Sequence, residues 1–341
     1  MRIISGLISI PFALCSLVIL SPPLFAQDDA ISAGWEVPRT EHGHPDLQGN
    51  WGNMSLTPLE RPVELGNKRS YTEAEVLRVQ YARNAEYDTI ASPLAADRAP
   101  PPAGVPLGQV TDANFNPERM LAVARIGGEY RTSLIIDPPN GRFPYRDDRD
   151  KDIREQWLSN GFRMFDGPEI RPANERCLAY PEHLPLIRPI GSSHTRYMQI
   201  VQTENYVILY GEYSTAIRII KLDSEHPTNG YAKWLGDSIA HWDEDSLVIH
   251  TTNFKPAASS TFIRSTAALK ITETLTPVSA SELEYRYTIT DPNIYTQPVT
   301  AEMQLSRLEE GEYLYESACH EGNYSLPGIL AGARRQEMDR Q

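Results

Sequence analysis

Leu283-Glu284-Tyr285-Arg286-Tyr287-Thr288-Ile289-Thr290 alternates without a break, with Leu283, Tyr285, Tyr287 and Ile289 on one parity and Glu284, Arg286, Thr288 and Thr290 on the other. A period of two sets an apolar face against a core and leaves the opposite face wet, as in an antiparallel sheet packed on one side. The same period runs outward through Tyr197–Thr203, Tyr206–Tyr213, Ile217–Leu222, Ser246–Asn253, Leu269–Val278, Thr300–Leu308 and Tyr313–Ala318, with turn residues between them. Short connections between so many strands predict a mainly β protein. The expected form is an antiparallel meander over residues 191–341 that closes into a lipocalin-like barrel.

Upstream the composition changes. Arg98-Ala99-Pro100-Pro101-Pro102 and Asp137-Pro138-Pro139-Asn140-Gly141 punctuate residues 27–190, which read as a wrap of extended chain packed with the barrel in one domain. Thr72 with Glu75 makes a capping box that opens a helix near 72–88. A second helix is expected near 148–160, with acidic residues in its first turn and Gly161 as its stop, and a third over Gly328–Met338. Asp148, Asp150 and Asp152 imitate the opening of a calcium loop, but Ile153 stands where that loop needs glycine.

Met1-Arg2, the apolar run Ile3–Leu20, Ser21-Pro22-Pro23 and Leu24-Phe25-Ala26 spell a signal peptide, residues 1–26, cut after Ala26. Pro11 interrupts the run, which falls short of the roughly 20 residues of a membrane span. The chain is therefore expected in the periplasm or outside the cell, with no stable membrane insertion after cleavage. Its formal charge of −13 disfavours nucleic acid and anionic lipid surfaces as partners. A small-molecule ligand or substrate is the expected partner. Export places Cys177 and Cys319 in an oxidising compartment, where an isolated pair reads as a disulfide closing a long loop.

No dinucleotide, Walker, zincin or nucleophile-elbow motif is present, and the sequence points to no cofactor and no metal. His42-Gly43-His44 offers two imidazoles close to the N-terminus and no further ligand. What stands out is a set of ionisable residues in strand-like segments. Glu273 shares the parity of Leu269, Ile271 and Leu275, which puts a carboxylate on an inward face, either as an acid–base group or as the ion-pair partner of an arginine such as Arg218. Trp234 and Trp242 bracket Asp237 and His241, and His250 and Tyr285 fall on nearby segments. His320 follows Cys319 directly, and His194 precedes the first strong strand.

Pro45-Asp46-Leu47-Gln48-Gly49-Asn50-Trp51, Thr57-Pro58-Leu59-Glu60-Arg61-Pro62, Asp137-Pro138-Pro139-Asn140-Gly141-Arg142, Trp234-Leu235-Gly236-Asp237-Ser238 with His241-Trp242, and Cys319-His320-Glu321-Gly322-Asn323-Tyr324 resemble a family of exported proteins of acidobacteria and proteobacteria. The likeness spans nearly all of the chain after residue 26. It departs at Asp243-Glu244-Asp245, where a glycine is expected before the aspartate, and at Pro298-Val299, where Pro-Trp is expected. The resemblance implies export and no particular reaction.

The expectation is an exported enzyme that eliminates, isomerises or hydrolyses a small apolar or aromatic substrate by acid–base chemistry. His241 is expected as the general acid or base, Asp237 as its orienting partner, and Glu273 with His320 as the opposing pair. Trp234, Trp242, His250, His194 and Tyr285 are expected to line the substrate site. The rival expectation is a periplasmic carrier that uses the same barrel to hold a hydrophobic small molecule.

Overall fold

The inward parity of Leu283, Tyr285, Tyr287 and Ile289 holds: all four side chains are buried in the wall of a closed barrel. The computed structural model describes residues 35–91, 122–148, 159–163, 165–171, 175–178, 197–212, 216–255, 266–316 and 318–340, and those from Glu36 on belong to one compact unit. Residues 1–26, His194 and most of the helix expected near 148–160 lie outside the described residues.

Nine strands close the ring. They are β1 (Gly49–Gly52), β6 (Tyr197–Gln202), β7 (Tyr206–Gly211), β8 (Ala216–Leu222), β9 (Asp237–Asp243), β10 (Ser246–Thr252), β11 (Lys270–Ser279), β12 (Glu282–Thr290) and β13 (Val299–Arg307), and β13 returns to pair with β1. Strand β5 (Ile135–Asp137) adds to β13 from outside the ring, and β2 (Ser70–Tyr71), β3 (Arg125–Ile126) and β4 (Glu129–Arg131) form a separate small sheet. Among the described residues the helices longer than one turn are α1 (Glu73–Ala91) and α2 (Ser325–Met338). Thr72 and Glu75 form the expected box at the start of α1: the Glu75 carboxylate accepts the Thr72 N–H at 2.9 Å, and the Glu75 N–H points back to Thr72 Oγ1 at 3.4 Å.

The barrel differs from the expected meander in three ways. It is mixed, because β8 and β9 run parallel, with Lys221 opposite Ile239 and Leu222 opposite Ala240. Residues 223–236 loop back so that β9 starts beside the second half of β8, and a parallel neighbour requires such a crossover. Second, the barrel is closed by a strand from the N-terminal half. In β1, Trp51 is buried, donates its indole N–H to Leu47 O at 2.9 Å and lies under the Arg307 guanidinium. Third, Tyr313–Glu316 is not a strand. It runs as a strap whose Tyr315 N–H is taken by the Glu212 carboxylate at 2.8 Å.

The core is continuous from Trp51, Met198 and Ile200 through Leu209, Ile220, Leu247, Ile249 and Leu275 to Leu283, Met303 and Leu305. Each such side chain contributes about 1.5–3 kcal/mol by leaving water. Cys177 and Cys319, 142 positions apart, are bridged, with Cα atoms 5.8 Å apart. Among the described residues no helix is long and apolar enough to cross a membrane.

Candidate functional site

Two polar constellations occupy opposite faces of the same wall. The inner one draws a residue from each of five successive strands: Arg218 on β8, Ser238 on β9, Thr251 on β10, Glu273 on β11 and Tyr285 on β12. Arg218 Nη1 donates to Glu273 Oε1 at 2.7 Å and Nη2 donates toward Glu273 Oε2, while Thr251 Oγ1 lies 2.7 Å and Ser238 Oγ 3.0 Å from Nη2. The Tyr285 hydroxyl donates to Glu273 Oε1 as well. Burial pulls the Arg218 pKa down, and the Glu273 carboxylate more than offsets it, so the guanidinium is held charged. Burial and the same carboxylate push the Tyr285 phenol well above its ordinary range, which keeps its proton in place as a donor. This is the ion pair anticipated for Glu273. It is a packed core, and its carboxylate is committed to Arg218 and Tyr285.

The outer constellation starts from the turn into β9. Gly236 has φ +71, and a Cβ there would stand 2.7 Å from both Phe254 Cε1 and Thr251 Cγ2, so only glycine lets the crossover enter the wall at this point. The next residue, Asp237, faces outward with its side chain 13% exposed. His226, earlier in the crossover, places Nδ1 3.0 Å from Asp237 Oδ1, and Lys233 Nζ donates to Asp237 Oδ2 at 2.6 Å. Burial alone would raise the Asp237 pKa. The hydrogen bonds from Lys233 and His226 outweigh it and hold the carboxyl below its ordinary value. A hydrogen bond to a carboxylate assigns the proton to Nδ1, which leaves Nε2 of a neutral His226 with a lone pair facing away from Asp237.

Trp234 stands three positions before Asp237. Its ring has Lys255 Nζ 5.1 Å and Arg176 Cζ 5.8 Å from the centroid. Arg176 adjoins Cys177, and Asn323 Nδ2 donates to Glu175 O at 2.7 Å, so the disulfide segment is fastened beside Trp234. The Trp234-Asp237 and Cys319-Asn323 motifs, separate in the sequence, are thus drawn together. His320 is exposed beside Cys319.

The other expected residues are divided between the two faces. His241 and His250 stack on the outer wall, ring centroids 5.7 Å apart and planes 18° apart, while Glu273 and Tyr285 point inward. Asp237 therefore orients His226 rather than His241, and Glu273 faces no histidine of this wall. Trp242 packs against the core, with His44 stacked on it at 5.6 Å. Sequence reasoning passed over His226 altogether. The residue lies in a loop with no periodicity, and only the parallel crossover returns it to Asp237.

The fold and site define a closed, mixed β-barrel with a filled, ion-paired interior and a half-buried histidine–aspartate pair on its outer face. Comparisons of the chain with protein-family models, with characterised proteins and with solved structures return no match. Among the described residues no group of three or more histidine, cysteine, aspartate or glutamate side chains is placed to enclose a metal ion.

Proposed function

We propose that this protein is an exported enzyme that performs acid–base chemistry on a small, partly aromatic substrate, with His226 as the proton-transferring group and Asp237 as its orienting carboxylate. The observation that carries this reading is the 3.0 Å contact between His226 Nδ1 and Asp237 Oδ1. A carboxylate on one imidazole nitrogen fixes the tautomer and the ring orientation, and it stabilises the imidazolium formed when the other nitrogen accepts a proton. Lys233 neutralises the second carboxylate oxygen without displacing the histidine. Trp234 supplies a flat wall nearby, and the disulfide keeps the Cys319–Tyr324 segment beside that wall.

Elimination, isomerisation and hydrolysis all fit a single base that becomes an acid later in the cycle. Export on residues 1–26 and work in the periplasm belong to the same reading, supported by the bridge between Cys177 and Cys319. The carrier reading asks for a vacant lumen, and among the described residues Arg218, Glu273, Tyr285 and the apolar core lie buried inside the wall.

The test is depletion of small molecules from a periplasmic extract by the purified protein, followed by mass spectrometry beside the His226→Gln variant. One or more compounds should disappear with the native protein and persist with the variant. Identical extracts after both treatments would remove the proposal.

A further inference from the structure

We propose that His241 and His250 form a two-imidazole chelating site for a borderline divalent cation, Cu²⁺ or Zn²⁺, on the outer wall of the barrel, completed by water. The two residues lie on adjacent antiparallel strands. His241 stands opposite Val248 and His250 opposite Ile239, which makes the histidines diagonal neighbours on one face. Side chains so placed reach each other across a sheet. Their rings already lie nearly parallel, with centroids 5.7 Å apart. Small χ rotations bring one nitrogen of each ring to a common ion at the roughly 2.0–2.1 Å typical of imidazole ligation.

The donor set is free for this task. Thr272 Oγ1 lies 3.3 Å from His250 Nδ1 and leaves Nε2 open, in the manner of the outer partners that fix the tautomer of a ligating histidine. Among the described residues His241 has neither a hydrogen bond nor an ion pair. Outward-facing Ile239 and Val248 flank the pair, and no carboxylate of the described residues contacts either ring. Two nitrogens and no acidic oxygen select borderline ions over calcium and magnesium. With only two protein ligands the site is open and exchangeable, unlike a structural zinc centre. This inference is independent of the His226–Asp237 reading.

The test is titration of the full chain with Cu²⁺ by calorimetry at neutral pH, with electron paramagnetic resonance of the bound ion, for the native protein and for His241→Gln, His250→Gln and His42→Gln. One equivalent with two nitrogen ligands is expected. Affinity should fall by at least roughly tenfold in His241→Gln and in His250→Gln and stay unchanged in His42→Gln. Both ligand positions are on the outer face, and thermal melts without metal verify that each variant folds. If a melt fails, His241→Asn and His250→Asn take its place. Absence of binding overturns the proposal. So does binding that survives both substitutions, or binding lost with His42.

Discussion

Arg218 and Glu273 meet inside the barrel as a two-pronged ion pair, Nη1 to Oε1 at 2.7 Å, with side chains 2% and 0% exposed. Neither charge has access to water, so each depends on the other. Removing one partner strands a buried charge, at a cost of about 3–5 kcal/mol, whereas replacing both with apolar residues of similar volume is often neutral or stabilising. Arg218→Met and Glu273→Leu are each expected to lower the urea midpoint sharply, and the double variant to recover most of the loss. A double variant as unstable as the sum of the singles would contradict the pairing.

Tyr287, on the same inner face, has a buried hydroxyl with no hydrogen-bond partner among the described residues. Burial and the Glu273 charge raise its pKa, so the phenol remains protonated. An unpaired buried polar group costs about 1–3 kcal/mol. Tyr287→Phe is therefore expected to leave stability unchanged or to increase it, as read by thermal unfolding. A clear loss would show that the hydroxyl has a partner after all.

His250 gives the fold a pH dependence of definite sign. Burial, then the His241 and His226 charges, hold its folded pKa below the unfolded value of about 6.5. On acidification the unfolded chain takes up this proton first, so stability is undiminished above about pH 6.5 and declines as the pH falls below it. In urea titrations across that range, His250→Gln should lose less stability on acidification than the native protein. Parallel curves would exclude His250 as a source of the decline.

The cysteine bridge and the barrel are separable. Strands β6 to β13 all lie between Cys177 and Cys319, and their ladders involve neither residue. Replacing both cysteines with serine should cost a few kcal/mol, about 2–5. In hydrogen exchange α2 should lose protection while β11 and β12 keep theirs. Loss of protection throughout the barrel would mean that the bridge holds the wall itself.

Much of this was legible in the sequence. The alternation of β12, the box at Thr72 and Glu75, the inward parity of Glu273 with Arg218 as a partner, and the cysteine pair all rest on local patterns or on the economy of burying charge. The rest was hidden for physical reasons. In β9 the inward residues are small, Ser238 and Ala240, and Ile239 faces out, so the segment reads as a turn rather than a strand. In β8 the isoleucines Ile217 and Ile219 face outward and the charged Arg218 faces inward, so apolar alternation does not mark the inner face. Closure by β1 and the parallel crossover are long-range pairings with no trace in a local window. The His226–Asp237 pair depends on both the crossover and the Gly236 turn, so the partner of Asp237 was assigned to the wrong histidine.

The most direct test of the central claim is the specificity constant, kcat/KM, of the native protein, His226→Gln and Asp237→Asn on the compound that the native protein depletes. General acid–base catalysis contributes about 10²–10⁴-fold, so His226→Gln should fall by that order. Asp237→Asn should fall by less, while His241→Gln stays within about twofold of the native value. A His226→Gln variant that is correctly folded and turns over substrate at the native rate would contradict the account.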